Sequence, residues 1–200
     1  MTRIWRLFVP RLLIEFKRRY DAEVGSGVAM RVRVGQPAAL ASLPSGYRYE
    51  TLNSPNLKKL TEFFNEEAEF PIGTPWNETI FWREALSGAV PGGAINIVDE
   101  SGNPVAFGAL WRDPVPRYGR IMFVLVARRH RRQRLGGLII RSLLAIAANS
   151  NFYWVVLITD SYRPHAIRLY RSVGFSVLTR HQRAILLLKG SFSRKLLRRW

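Results

Sequence analysis

From residue 47 onward the apolar and polar positions follow two clean periods. "YRYETL" (47–52) alternates and predicts a strand, while Leu57, Leu60, Phe63 and Phe64 recur at helical spacing and predict a helix over 53–69, with Ser54-Pro55 as its start. "PIGTPWNE" (71–78), with two prolines, reads as a loop, and 78–88 as a shorter second helix ending at Gly88. Two apolar runs within 92–111, separated by "DESGNP", predict a hairpin. "YGRIMFVLVA" (118–127) is apolar almost throughout and predicts a central strand covered on both faces. A buried helix over 138–150 and a buried strand over 152–159 follow. Next come an amphipathic helix over 162–175, with Ala166, Leu169, Tyr170 and Val173 on one face, and a final pair of strands within 175–190. The resulting order, β-α-α-β-β-β-α-β-α-β-β, predicts an α/β chain built on one mixed sheet with helices on both faces.

The ends of the chain lack this regularity. Residues 21–46 are rich in Gly, Ala, Ser and Pro and read as a linker or irregular arm. Residues 1–20 mix Trp5, Phe8, Leu12, Leu13 and Phe16 with six basic side chains and one acidic one. That pattern is too charged for a secretory signal and suits either an interfacial segment on anionic lipid or a helix folded onto the main domain. The expected organisation is therefore a basic N-terminal segment with linker (1–46), one domain (47–190) and a basic tail (191–200).

Charge changes this picture. The net formal charge is +17, yet residues 34–111 hold four basic and nine acidic side chains, whereas residues 112–200 hold nineteen basic and two acidic ones. One part is suited to anions, the other to a cationic or amine-bearing partner. With no cysteine, disulfides, thiolate zinc sites and a cysteine nucleophile are excluded, and His130, His165 and His181 are too scattered for a histidine metal site, so no metal is expected.

The sharpest concentration of charge is "RRHRRQRLGG" (128–137), five arginines and a histidine in seven positions followed by two glycines. It lies between a predicted strand and a predicted apolar helix. The first turn of a helix presents unpaired N–H groups and partial positive charge, glycine permits close backbone approach, and arginine forks bind phosphate oxygens. Neither G-x-x-x-x-G-K-[ST] nor a G-x-G-x-x-G after the first strand is present.

"VARRHRRQRLGGLIIRSLL" (126–144) resembles the acyl-CoA-binding motif of the GNAT superfamily of N-acyltransferases, a strand followed by [Q/R]-x-x-G-x-[G/A] and a leucine-bearing helix. Arg131 takes the leading position and Gly136 the last. "RPHAIRLYRSVGF" (163–175) resembles the same family's N-x-x-A-x-x-L-Y-x-x-x-G-F through Ala166, Leu169, Tyr170, Gly174 and Phe175. The resemblance covers about 47–190. It departs at Arg134, where the motif has its first glycine, and at Arg163, where it has asparagine. It implies a GNAT-like fold and transfer of an acyl group, most simply from acetyl-CoA, to an amine. It also implies pantetheine against the backbone of Val124, Leu125 and Val126, and pyrophosphate on the loop of Arg131, Arg132, Gln133, Arg134, Leu135, Gly136 and Gly137. Arg163 would alter the contact that asparagine makes to the pantetheine arm. Tyr170 would be the general acid for the leaving thiolate.

The base is open: Asp160, Glu66, Glu67 and Glu69 are the nearest carboxylates along the sequence, and water is the alternative. Trp76, Trp82 and Trp111 are expected either to shape the acceptor pocket or to pack in the core. Two other functions stay open. One is a GNAT-like binding domain whose basic face grips nucleic acid or anionic membrane, although no aromatic stacking platform is visible in the sequence; the other is an acyltransferase for lipid-related substrates. The expected setting is a cytoplasmic monomer or homodimer, with the basic ends as peripheral contacts to anionic membrane or nucleic acid.

Overall fold

A computed structural model describes residues 27–50, 57–67, 75–179 and 181–183. Seven strands form one sheet: β1 (Gly27–Arg33), β2 (Tyr47–Glu50), β3 (Ala89–Asp99), β4 (Pro104–Arg112), β5 (Tyr118–Val126), β6 (Trp154–Asp160) and β7 (Ser176–Val177). Their spatial order is β2-β3-β4-β5-β6-β1-β7. Only β5 and β6 run parallel, because helix α3 (Leu135–Asn149) carries the chain back between them; every other neighbouring pair is antiparallel. The remaining helices are α1 (Leu57–Glu67), α2 (Glu78–Phe81, continued by a π-helical turn at Trp82–Leu86) and α4 (Pro164–Ser172).

The two faces of the sheet bury different residues. Ile139, Ile140 and Leu143 of α3 pack with Ile95, Ile97, Leu110 and Ile121 of the sheet, and Tyr170 of α4 joins the same cluster. On the other face Leu60, Phe63 and Phe64 of α1 and Phe81 of α2 pack on Phe107 and Ala109. Each such fully buried side chain stabilises the fold by roughly 1.5–3 kcal/mol. Gly108 lets α3 lie close on β4, since a Cβ there would stand 2.6 Å from Ile139 Cγ2.

One expectation is corrected and two are refined. Residues 27–33, read as linker, form β1 and pair along their whole length with β6. The reason lies in an alternation that the flanking Gly and Pro obscure. Val28, Met30 and Val32 enter the core side while Ala29, Arg31 and Arg33 take the other face. Secondly, β5 is central and covered on both faces as expected, with Ile121, Val124 and Val126 on the α3 side and Met122, Phe123 and Leu125 on the α1 side, but its residues beyond Ile121 are only half-buried. Thirdly, of the final pair of strands only β7 lies among the described residues; residues 181–183 are helical, and 180 and 184–190 lie outside the described residues. So do the N-terminal segment before residue 27 and the tail.

Candidate coenzyme and acceptor site

The half-burial of β5 follows from a split in the sheet. β5 and β6 pair only over Tyr118–Arg120 and Trp154–Val156. Phe123 takes a left-handed φ of 54°, and the β4–β5 register shifts between Phe107 and Ala109. This is a bulge, which bends a strand away from its former course. Beyond the bulge the Ala127 N–H donates to Val105 O on β4 at 2.8 Å. Strand alternation therefore sends the N–H groups of Val126 and Val124 the other way, into the gap, and that of Leu125 toward β4.

The basic loop closes the end of this gap. A short 3₁₀ turn at Arg128–His130 leads to Arg132 at φ 70° and to Arg134 at φ 63°, which caps α3. Arg134 thus adopts the conformation that glycine, the motif's residue at that position, takes without steric cost; for an L-residue it costs roughly 1–2 kcal/mol. Its carbonyl accepts from Gly137 N at 3.0 Å and Leu138 N at 3.2 Å. The N–H groups of Arg132, Gln133, Arg134, Leu135 and Gly136 have no acceptor among the described residues. Five consecutive unpaired donors at a helix start form an anion cradle. Gly136 also lets α4 approach, for a Cβ there would stand 3.1 Å from Leu169 Cδ2.

Three contacts pin the loop from outside it. The Arg128 N–H donates to Glu67 Oε2 at 2.9 Å, reaching across from α1. Tyr47 Oη lies 3.0 Å from His130 Nδ1, and Arg131 Nε donates weakly to Val126 O at 3.4 Å. The roles of Glu67 and Tyr47 as loop anchors were not legible in the sequence, since nothing along the chain places residues 47 and 67 beside residues 128–130. The positive φ at Phe123 likewise had no sequence signal.

Tyr170 stands 8% exposed on α4, and its ring lies 6.0 Å from that of Phe175. Its hydroxyl has no protein partner among the described residues, yet it is not sealed off from solvent. Burial pushes the phenol up to about 12, against an opposing pull from the Arg163 charge. Arg163 itself turns back on the strand end, with Nε 3.1 Å from Asp160 Oδ2. Asp160 is therefore engaged by Arg163, and Glu67 is engaged by the loop; Glu66 is exposed, and Glu69 lies outside the described residues. Of the tryptophans, Trp76 stacks on Phe64 at 4.8 Å and Trp111 donates to Ala85 O at 3.3 Å, so both belong to the core on the α1 face, while Trp82 is exposed. A cavity of about 190 Å³ opens between α1 and the loop, lined among others by Glu62, Glu66, Glu67, Arg129 and His130.

A family model described as the acetyltransferase (GNAT) family matches residues 57–175. No curated protein matches the chain. Among solved structures it is similar to a GCN5-related N-acetyltransferase from Sphaerobacter thermophilus, with TM-score 0.61 and 20% identity over 81% of this chain and 53% of that one. It is also similar to the ribosomal-protein-S18-alanine N-acetyltransferase from Escherichia coli, with TM-score 0.55 and 20% identity over 66% of this chain and 79% of that one. A third is Ard1 from Thermoplasma volcanium, with TM-score 0.53 and 19% identity over 67% and 85%. These are likenesses of fold, and the chain spans about half the length of the first.

Proposed function

The chain belongs to the acetyltransferase (GNAT) family, and from that premise we propose that it transfers the acetyl group of acetyl-CoA to an amine by direct attack. The observation that carries this reading is the split between β5 and β6, with inward N–H groups on one wall and five unpaired N–H groups at its end. The row fits the donor's chemistry: the Arg132–Gly136 cradle takes the pyrophosphate, with Arg131, Arg132 and Arg134 adding charge, and the N–H groups of Val124 and Val126 meet the pantetheine arm and the thioester carbonyl. A fixed donor aimed at an oxygen that gains negative charge lowers the barrier without reorganisation. The amine nitrogen bonds to the carbonyl carbon, the carbon–sulfur bond breaks, and the electron pair leaves on sulfur.

Tyr170 faces that sulfur in this reading and donates its O–H hydrogen bond as the thiolate forms. Its raised pKa keeps it protonated throughout the physiological range, as a donor must be. The ammonium proton goes to water, since Asp160 and Glu67 already hold partners of their own. The excess of acidic side chains over residues 34–111 suits a cationic acceptor. Calorimetry with acetyl-CoA, followed by a free-thiol assay over a panel of amines, tests the reading. Saturable binding that Arg132→Glu weakens is expected; failure to bind acetyl-CoA would overturn it.

A further inference from the structure

Arg163 stands where the motif has asparagine, so a cation replaces a neutral amide at the start of α4. Its place is well defined. Its N–H donates to Asp160 O at 3.1 Å, and its carbonyl accepts from Ile167 N at 3.2 Å. Its guanidinium Nε lies 3.1 Å from Asp160 Oδ2, and its Cζ lies 5.5 Å from the centre of the Tyr162 ring. The side chain is 24% exposed, so its charge is partly withdrawn from water.

This charge sits beside the gap between β5 and β6. The two strands part after Arg120 and Val156, and counting on in the same parallel register brings Asp160 level with Val124 and Leu125. The Asp160–Arg163 pair therefore stands on the β6 side of the gap, opposite the stretch of β5 whose N–H groups receive the thioester in the acetyl-transfer reading. Tyr170 approaches the same place from the helix. Seven residues make about 700° of helical turn, so Arg163 and Tyr170 lie on nearly one face of α4. A helical side chain leans toward the N-terminus of its helix, which carries the Tyr170 hydroxyl back toward Arg163. The pull on that phenol has the sign of arginine and not of Asp160, so the positive end of the pair is the one turned to the hydroxyl.

Resting on the acetyl-transfer reading, we propose that Arg163 is a second residue for the leaving group, its charge stabilising the departing thiolate while Tyr170 donates a hydrogen bond to the same sulfur. The nitrogen–carbon bond forms, the carbon–sulfur bond breaks and the electron pair stays on sulfur, with the ammonium proton passing to water. Arginine gives up no proton, so Arg163 acts as a fixed charge set where negative charge develops. An asparagine there would offer a hydrogen bond and no charge.

The test is calorimetry with coenzyme A and with its analogue lacking the sulfur, at pH values on either side of a thiol's ordinary pKa of about 8.5. Coenzyme A can lose its thiol proton in the site and the analogue cannot, so the ratio of their affinities reports the thiolate and cancels groups that titrate elsewhere, such as His130. A neighbouring cation lowers an acid's pKa by about 1–3 units, so the ratio should rise with pH in the parent by about 10-fold or more. Arg163→Gln removes a partly exposed ion pair, which leaves the fold intact. It should cut that rise about 10-fold and kcat about 10-fold, with the analogue bound as in the parent. Arg163→Lys, which keeps the charge, should retain most of both. An Arg163→Gln ratio equal to the parent's would overturn the proposal and leave the acetyl-transfer reading standing. So would an equal loss of affinity for both ligands, which makes Arg163 a binding residue only, or Arg163→Lys behaving like Arg163→Gln. A parent chain that binds neither ligand would overturn the proposal and the acetyl-transfer reading together.

Discussion

Replacing Tyr170 by phenylalanine removes one oxygen and leaves no orphaned protein group, because that hydroxyl has no partner among the described residues. The size of the effect follows from the phenol's environment. A thiolate resembling that of cysteine has a pKa near 8.5, so complete transfer from a phenol at about 12 runs uphill by roughly 3.5 units, or about 4.8 kcal/mol. A hydrogen bond to the ionised sulfur, worth about 1.5–3 kcal/mol, is the cheaper way to stabilise it. Tyr170→Phe should therefore lower kcat about 10- to 150-fold, with the KM for acetyl-CoA little changed. A free-thiol assay at saturating donor and acceptor measures this. An unchanged kcat would refute the placement of the hydroxyl at the sulfur, and a loss beyond about 10⁴-fold would refute the hydrogen-bond argument in favour of full proton transfer. A second readout uses stability. The folded state holds the Tyr170 proton up to about 12, while the unfolded chain releases it near 10, so this contribution is complete below pH about 10 and disappears by about 12. Denaturant midpoints of the parent should fall more steeply across that window than those of Tyr170→Phe, by up to about 2.7 kcal/mol.

Arg134→Gly should act in opposite directions on two measurements: thermal stability rises by roughly 1 kcal/mol as the left-handed strain is relieved, while acetyl-CoA affinity measured by calorimetry falls with the lost charge. Glu67→Ala leaves the Arg128 N–H without its acceptor and should raise the KM for acetyl-CoA by roughly 5- to 100-fold with kcat nearly intact, whereas Glu67→Gln, which keeps a carbonyl acceptor, should restore most of it. Gly108→Ala drives a Cβ to 2.6 Å from Ile139 Cγ2 and should destabilise the fold by about 1–3 kcal/mol, read as a lower Tm. If water takes the ammonium proton, the pH–rate profile should move with the pKa of whichever amine is supplied; a profile that ignores the amine would point to a base on the protein.

The alternating and helical periods from residue 47 onward were enough to read the sheet's main strands and its helices, because burial on one face leaves its period in the sequence. β1 escaped because its alternation is short and sits among Gly and Pro, and because its partner lies near the other end of the chain. The loop was legible from its arginines and glycines, down to Arg134 standing at a glycine position; its left-handed φ gives the reason glycine is used there. The engagement of Asp160 and Glu67 by other residues was not legible, since ion pairs and backbone contacts carry no period. The aromatic stack on Trp154 was hidden for the same reason: Tyr118, Arg31 and Trp154 come from three strands that only the register brings side by side.

The place of β1 between β6 and β7 also sets a timetable for synthesis. The first of the sheet's described strands to be made pairs with the last two, since Gly27 awaits Asp160 and Met30 awaits Val177. At about 5–20 residues per second, it waits on the order of ten seconds with both edges open. A chain cut short before β6 would never close its sheet, and its exposed strand would mark it for proteolysis or aggregation. The sheet can close only once β6 and β7 have been made, so its first strand is also the last to find its partners.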